Sequence, residues 1–246
     1  MQQTDSNQSQ APTILDLIVN GTMSAEMAAT LWATVDEGRS FVVAAIPRLA
    51  GKSTVGNAAL AMLPPDVPVH RLSGEEEEMG RLKDDATGGY LVVGEFSQGP
   101  VPGYIWGSPV RRVFDTMTAG YSLATTLHAP GLTETFGEIC QGCGVTDERA
   151  SNIGLMVYLL RFGDDPDFWR RAAEIHEVDD VEGGVPRGRL LHRWVEEDDR
   201  FEVVERPRTI RANDLEARTA RLNAQVESRR TTAEDVARMV AEHRGS

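Results

Sequence analysis

Residues 41–54 read FVVAAIPRLAGKST, an apolar run that ends at a proline and gives way to Gly-Lys-Ser-Thr. Six consecutive apolar residues, 41–46, mark a strand buried on both faces, because a strand with one wet face would alternate. Residues 47–51 read as a loop, and a helix is predicted over 52–63, stopped by Pro64 and Pro65. A buried strand, a short loop and a helix in that order point the first amide N–H groups of the helix at an anion. Lys52 is then placed to hold β- and γ-phosphates, and Ser53 to offer a hydroxyl to Mg²⁺. Pro47, Arg48, Leu49, Ala50, Gly51, Lys52, Ser53 and Thr54 form the candidate nucleotide-binding loop, with ATP and Mg²⁺ as expected ligands. The tripeptide Gly-Lys-Ser is common by chance, and an ordinary helix start would share it. Its setting separates the two. Ile46 stands where such a loop carries its first glycine. Isoleucine does not adopt positive φ cheaply, and Pro47 biases it toward extended backbone, so the loop entry is expected to differ.

Outward from this stretch, strands and helices alternate. Upstream, helices are predicted over 13–19 and 25–37, the second capped by Ser24. Downstream come strands at 69–72, 90–93 and 122–127, and helices over 105–119, 132–140 and 146–152. This alternation implies a mostly parallel sheet with helices on both faces. Residues 155–162, 171–178 and 190–195 look like strands joined by Gly- and Asp-rich turns, an antiparallel extension. From 210 the chain is charged and helical. Its sparse apolar residues predict a tail peripheral to the core. The expected division is a disordered tail over 1–12, a phosphate-loop domain over 13–207 and a charged helical tail over 208–246.

Three further segments carry chemistry. Tyr90-Leu91-Val92-Val93-Gly94-Glu95 brings a carboxylate to the end of a buried strand, where it can polarise a water beside the loop. Alone, it would read as a solvated acid. Ala124-Thr125-Thr126-Leu127-His128 delivers a histidine to the same edge of a parallel sheet. Glu75 to Glu78 form an acidic run after another strand, which is a solvated run unless it faces the loop. Cys140-x-x-Cys143 is half of a zinc site at best, since four ligands are needed and no second pair exists.

Composition narrows the function. The formal net charge of −13 argues against a groove for nucleic acid, which needs clustered Lys and Arg. No apolar stretch approaches the roughly 20 residues that span a bilayer. The polar first twelve residues lack the apolar centre of a signal peptide. A cytoplasmic protein without membrane insertion is expected, and two cysteines do not argue otherwise.

Taken together, the segments resemble the type II/IV secretion ATPase family, the hexameric traffic ATPases of secretion systems and pili. ILDLIVNGTMSAEMAATLWATVDEGRSFVVAAIP, at 14–47, resembles that family's approach to its Walker A loop. LVVGEF, at 91–96, resembles its atypical Walker B, and FDTMTAGYSLATTLHAPG, at 114–131, its His-box region. AEIHEVDD, at 173–180, resembles a late strand. The resemblance spans roughly 14–207. It implies an α/β, three-layer RecA-like P-loop NTPase domain, mostly parallel, with an antiparallel extension and a helical C-terminal tail. It implies Lys52 and Ser53 as phosphate and Mg²⁺ residues, Glu95 as catalytic glutamate, His128 as the His-box histidine, and Glu75 and Glu76 in place of the Asp box. It further implies a homo-oligomeric ring such as a hexamer, partnered by inner-membrane components of a secretion or pilus system, at the inner face of the membrane. Three departures stand against this: Ile46 in the loop, Ser97-Gln98 where the family has an arginine, and no counterpart of the arginine-bearing N-terminal domain. They leave a second expectation open, a nucleotide-binding regulatory or adaptor subunit with little or no hydrolysis. For an ATPase, Glu95→Gln is expected to remove turnover and leave ATP affinity nearly unchanged.

Overall fold

Strand β1, Ser40–Ala45, is buried at every position. Phe41, Val43 and Ala45 pack into one hydrophobic cluster, and Val42 and Ala44 into another, so each face of the sheet requires its own helical layer. The computed structural model describes residues 11–245 except Arg48 and residues 165–166. Residues 1–10 of the expected tail, and Arg48 of the expected loop, lie outside the described residues.

Strand β1 is flanked by β6 (Tyr121–Leu127) and β7 (Ile153–Phe162), both parallel to it. Strand β3 (Gly89–Val92) extends the parallel sheet from β6, and β2 (Val69–Arg71) extends it from β3. The order β7-β1-β6-β3-β2 is a RecA-like arrangement with the loop-bearing strand inside the sheet. Beyond β7 run β8 (Trp169–Glu182), β9 (Val185–Val195) and β10 (Arg200–Val203), all antiparallel. The two-residue strands β4 (Glu95–Phe96) and β5 (Tyr104–Ile105) attach beside β6.

Helices α1 (Ile14–Val19), α2 (Ala25–Asp36) and α3 (Lys52–Leu60) cover one face. Thr13 closes a capping box on α1, and the Ser24 hydroxyl receives the Met27 N–H at the start of α2. Helices α4 (Glu76–Asp85), α5 (Ser108–Met117), α6 (Leu132–Gly137) and the short α7 (Asp147–Ala150) lie against the other face. The three-layer α/β fold and its antiparallel extension are as the sequence implies.

Three local expectations differ. The acidic run is helical: Glu76, Glu77 and Glu78 form the first turn of α4, where carboxylates meet the positive end of the helix dipole. The helix expected from 105 begins at Ser108, because Ile105 pairs in β5 and Gly107 sits at φ +67° before Pro109. The tail is not peripheral. Helices α8 (Ala212–Glu227) and α9 (Ala233–Arg244) bury Leu222, Val236, Met239 and Val240 in the same cluster as α2. Arg218 is buried there, with its guanidinium 4.7 Å from the centre of the Trp32 ring and ion pairs to Asp36 (2.7 Å) and Asp214 (2.8 Å). A long charged side chain covers apolar surface with its stem, so a charge count understates what these helices bury.

Truncation after Pro207 is therefore expected to destabilise the chain rather than leave an intact domain. Leu222→Ala alone is expected to cost about 2–5 kcal/mol, read as a lower denaturant midpoint. A truncated chain melting at the full-length Tm would contradict this.

His192 gives a pH signature. It is 4% exposed on β9, with Nε2 2.8 Å from the Thr30 hydroxyl, which itself donates to the Glu26 carbonyl at 3.0 Å. Its Nε2–H therefore donates to that hydroxyl, and burial holds the imidazole's pKa down at about 4 against 6.5, so the ring is neutral at pH 7. A folded pKa below the unfolded one means stability is whole above pH 6.5 and lost as pH falls toward 4. The loss at pH 5 is about 2 kcal/mol. Chemical denaturation at pH 7 and pH 5 is expected to show that loss in the wild type and not in His192→Gln. Parallel pH dependences in the two proteins would refute it.

Candidate functional site

Chain geometry at the end of β1 builds a loop that opens onto a helix start. The Ile46–Pro47 bond is cis, Leu49 sits at φ +63°, and Gly51 at φ +91° is the N-cap of α3. Gly51 is required on two counts. Its φ is in the left-handed region, and a Cβ there would lie 2.9 Å from Cδ of Arg170. Leu49 occupies that region with a side chain, at a cost of about 1–2 kcal/mol. Its carbonyl is held by Arg170, whose Nε donates to it at 3.0 Å. Thus the positive φ values that a phosphate loop needs fall at Leu49 and Gly51, and Ile46 is spared.

Lys52 opens α3 and is 8% exposed, with Nζ 3.0 Å from Oε2 of Glu95. Glu95 reaches it because β3 stops at Val92 and the chain resumes in β4 after Gly94. A Cβ on Gly94 would lie 3.0 Å from the Gly103 carbonyl oxygen, so that turn takes a glycine. Thr126 on β6 fixes it further, donating its hydroxyl to the Gly94 carbonyl at 2.7 Å. The rung Phe96–Leu127 places Glu95 one residue before and His128 one residue after the same level on adjacent strands. His128 is exposed there. Ser53 is exposed in the first turn of α3 and lines a cleft of about 60 Å³ with Asn57, Arg71, Gly94 and Thr126.

Of the residues singled out in the sequence, the structure joins Lys52 directly to Glu95 and sets Ser53 and His128 along the same sheet edge. It keeps Glu75 and Glu76 apart from them. Strand β2, which leads to these acids, lies three strands from β1, about 14 Å at ordinary strand spacing. Glu76 pairs with Arg112 of α5 at 2.7 Å. Among the described residues, no ion pair or hydrogen bond links either acid to the loop. Cys140 lies in a π-helical turn, Glu138–Gly142, and Cys143 is buried just after it. Burial, helped by Asp147, pushes the Cys140 thiol up to about 11.

Two site residues were not singled out from sequence. Thr126 stands two residues before His128 and needed only the knowledge that its strand neighbours Gly94. Arg170 is 121 residues from Leu49, and only the β1–β7–β8 pairing reveals it. Mg²⁺ fits the donor set in one way. Among the described residues, no three His, Cys, Asp or Glu side chains cluster as a metal cage. A Ser53 hydroxyl with substrate phosphates is the arrangement Mg²⁺ commonly takes.

No family model and no curated protein matches the chain. Among solved structures it is similar to the VirB11 ATPase of the Brucella suis type IV secretion system, at 15% identity and a TM-score of 0.46, over 71% of this chain. It is also similar to the Legionella pneumophila ATPase DotB, at 15% identity and a TM-score of 0.37, over 87% of this chain. The chain spans 59% of the length of each. At such identities the likeness concerns the fold, and the chemistry rests on the residues of the site itself.

The Lys52–Glu95 pair changes one expectation. A phosphate must draw Lys52 away from a carboxylate with which it shares a largely buried contact. Glu95→Gln removes that competitor, so nucleotide affinity is expected to rise about fivefold, on the order of 1 kcal/mol, rather than stay constant. Titration calorimetry with a triphosphate checks this. Unchanged affinity would mean the ion pair does not persist in solution.

Proposed function

We propose that this chain binds ATP with Mg²⁺ at the loop before α3 and hydrolyses it slowly, with Glu95 as general base. The observation that carries this is the meeting of Lys52, at the helix start after a buried strand, with Glu95 from the neighbouring parallel region, at 3.0 Å. In a parallel sheet the C-terminal strand ends share one edge, where ligands bind. The loop amides and Lys52 hold the phosphates there. Once Lys52 turns to phosphate, the Glu95 carboxylate is free to take a proton from water. That water oxygen bonds to the γ-phosphorus as the bond to the bridging oxygen breaks, and ADP leaves. Mg²⁺ held by Ser53 and the phosphates would supply charge neutralisation for the leaving group. Thr126 keeps the Gly94 turn, and hence Glu95, at its height on the sheet. His128, two residues beyond the level of Glu95 on the neighbouring strand, would sense the γ-phosphate.

The finer reading is a traffic-type ATPase. Copies of the chain would form a ring and couple turnover to a secretion or pilus assembly at the inner face of the membrane. Support for it is the order and spacing of the Walker A, Gly-Glu and His-box segments. Among the described residues no helix is long and apolar enough to cross a membrane. One observation favours the second reading, a nucleotide-binding regulatory or adaptor subunit. In the ion pair, phosphate cation and general base neutralise each other, so a bound nucleotide competes with the catalyst for Lys52.

The test is turnover beside affinity. Lys52→Ala is expected to weaken ATP binding at least tenfold, about 1.4 kcal/mol. Glu95→Gln is expected to cut a slow wild-type turnover roughly 10²–10⁴-fold. ATP binding with no turnover, alone or with any partner added, would reject the ATPase and leave the adaptor.

A further inference from the structure

The far side of the loop carries groups that the phosphate chemistry does not use. Strand β7 pairs Leu159 with Ala45, the last residue of β1, and runs three residues further to Phe162. Its continuation therefore stands beside the loop, and β8 returns past the same place. Arg161 and Arg170 face each other across these strands, and Phe162 faces Trp169. The guanidinium carbons of Arg161 and Arg170 lie 4.7 and 4.5 Å from the centre of the Phe168 ring. Trp169 stacks on Phe162 at 4.2 Å and 18°, which stiffens the hairpin, yet it is 42% exposed. Phe168 and Arg170 are half-buried, so part of the stack of ring and guanidinium planes is in reach of solvent. It is also joined to the loop, since Arg170 donates to the Leu49 carbonyl and packs over Gly51.

Position gives this stack a role. Glu95 and His128 lie on the β6 side of β1, and the hairpin lies on the β7 side. A triphosphate seated on the loop with its γ end toward Glu95 points its nucleoside the other way. Aromatic rings and guanidinium planes are what nucleobases stack on, with little need for hydrogen-bond readout. We propose that the Phe168–Arg170 stack, with Arg161 on the same ring, is the platform for the base of the bound nucleotide. Stacking strength favours a purine over a pyrimidine on such a platform.

This rests on the nucleotide reading above, and the experiment separates the two. Calorimetry on the full chain compares Mg-ATP with Mg-tripolyphosphate, which has the phosphates and no base. Wild type is expected to bind ATP more tightly. Phe168→Ala is expected to lose about tenfold on ATP and nothing on tripolyphosphate, whereas Lys52→Ala loses on both. Phe168→Trp keeps an aromatic face and is expected to retain ATP affinity, which guards against a fold defect in the alanine variant. Equal losses of Phe168→Ala on both ligands, or no loss on ATP, would overturn the platform and leave nucleotide binding standing. Wild type that binds neither ligand would overturn both.

Discussion

Burial of β1 on both faces is the constraint from which the other features follow. Phe41 and Val43 cannot share a layer with Val42 and Ala44, so the chain must supply apolar helical surface twice. It does so with α1, α2, α3, α8 and α9 on one side and α4, α5 and α6 on the other. With parallel partners on both edges, the end of β1 opens inside the sheet edge instead of at its margin. That is why a loop of modest sequence can be approached from both sides, by Glu95 across β6 and by Arg170 across β7.

The chemistry of the site is a contest over one ammonium group. Lys52 and Glu95 satisfy each other in a largely dry contact, which a nucleotide held as proposed would have to open. A phosphate group brings more negative charge and the loop amides besides, so it competes well for the lysine. Thr126 and the Gly103 carbonyl, which receives the Gly94 N–H, hold that turn in place.

Local signals were legible where one segment determined its own structure. The six apolar residues of β1, the Ser24 cap and the glycine before Lys52 each announce a conformation from neighbouring residues alone. Glu95 drew notice because the apolar run at 90–93 ends just before it, but its 3.0 Å contact with Lys52 depends on the turn at Gly94. What escaped depended on distant pairing. Nothing around Arg170 says that it will reach Leu49, and nothing around Leu222 says that a charged helix will seal the apolar face of α2. The acidic run was conspicuous in sequence, but its neighbours were not: Glu76 opens α4 and pairs with Arg112 of α5, 36 residues on. The positive φ of Leu49 was likewise invisible, since its carbonyl partner Arg170 lies elsewhere in the chain.

Strand β8 links two parts of the fold. At Arg170 it grips the loop, and seven residues on, about 23 Å along an extended chain, it carries Glu177. That carboxylate is fully buried and receives the Arg208 amide at 3.0 Å and the Thr209 hydroxyl at 2.8 Å. Those residues lead directly into α8. Paired with β7 over 169–177 and with β9 over 174–182, this one strand joins the residue beside the loop to the residue beneath the start of α8.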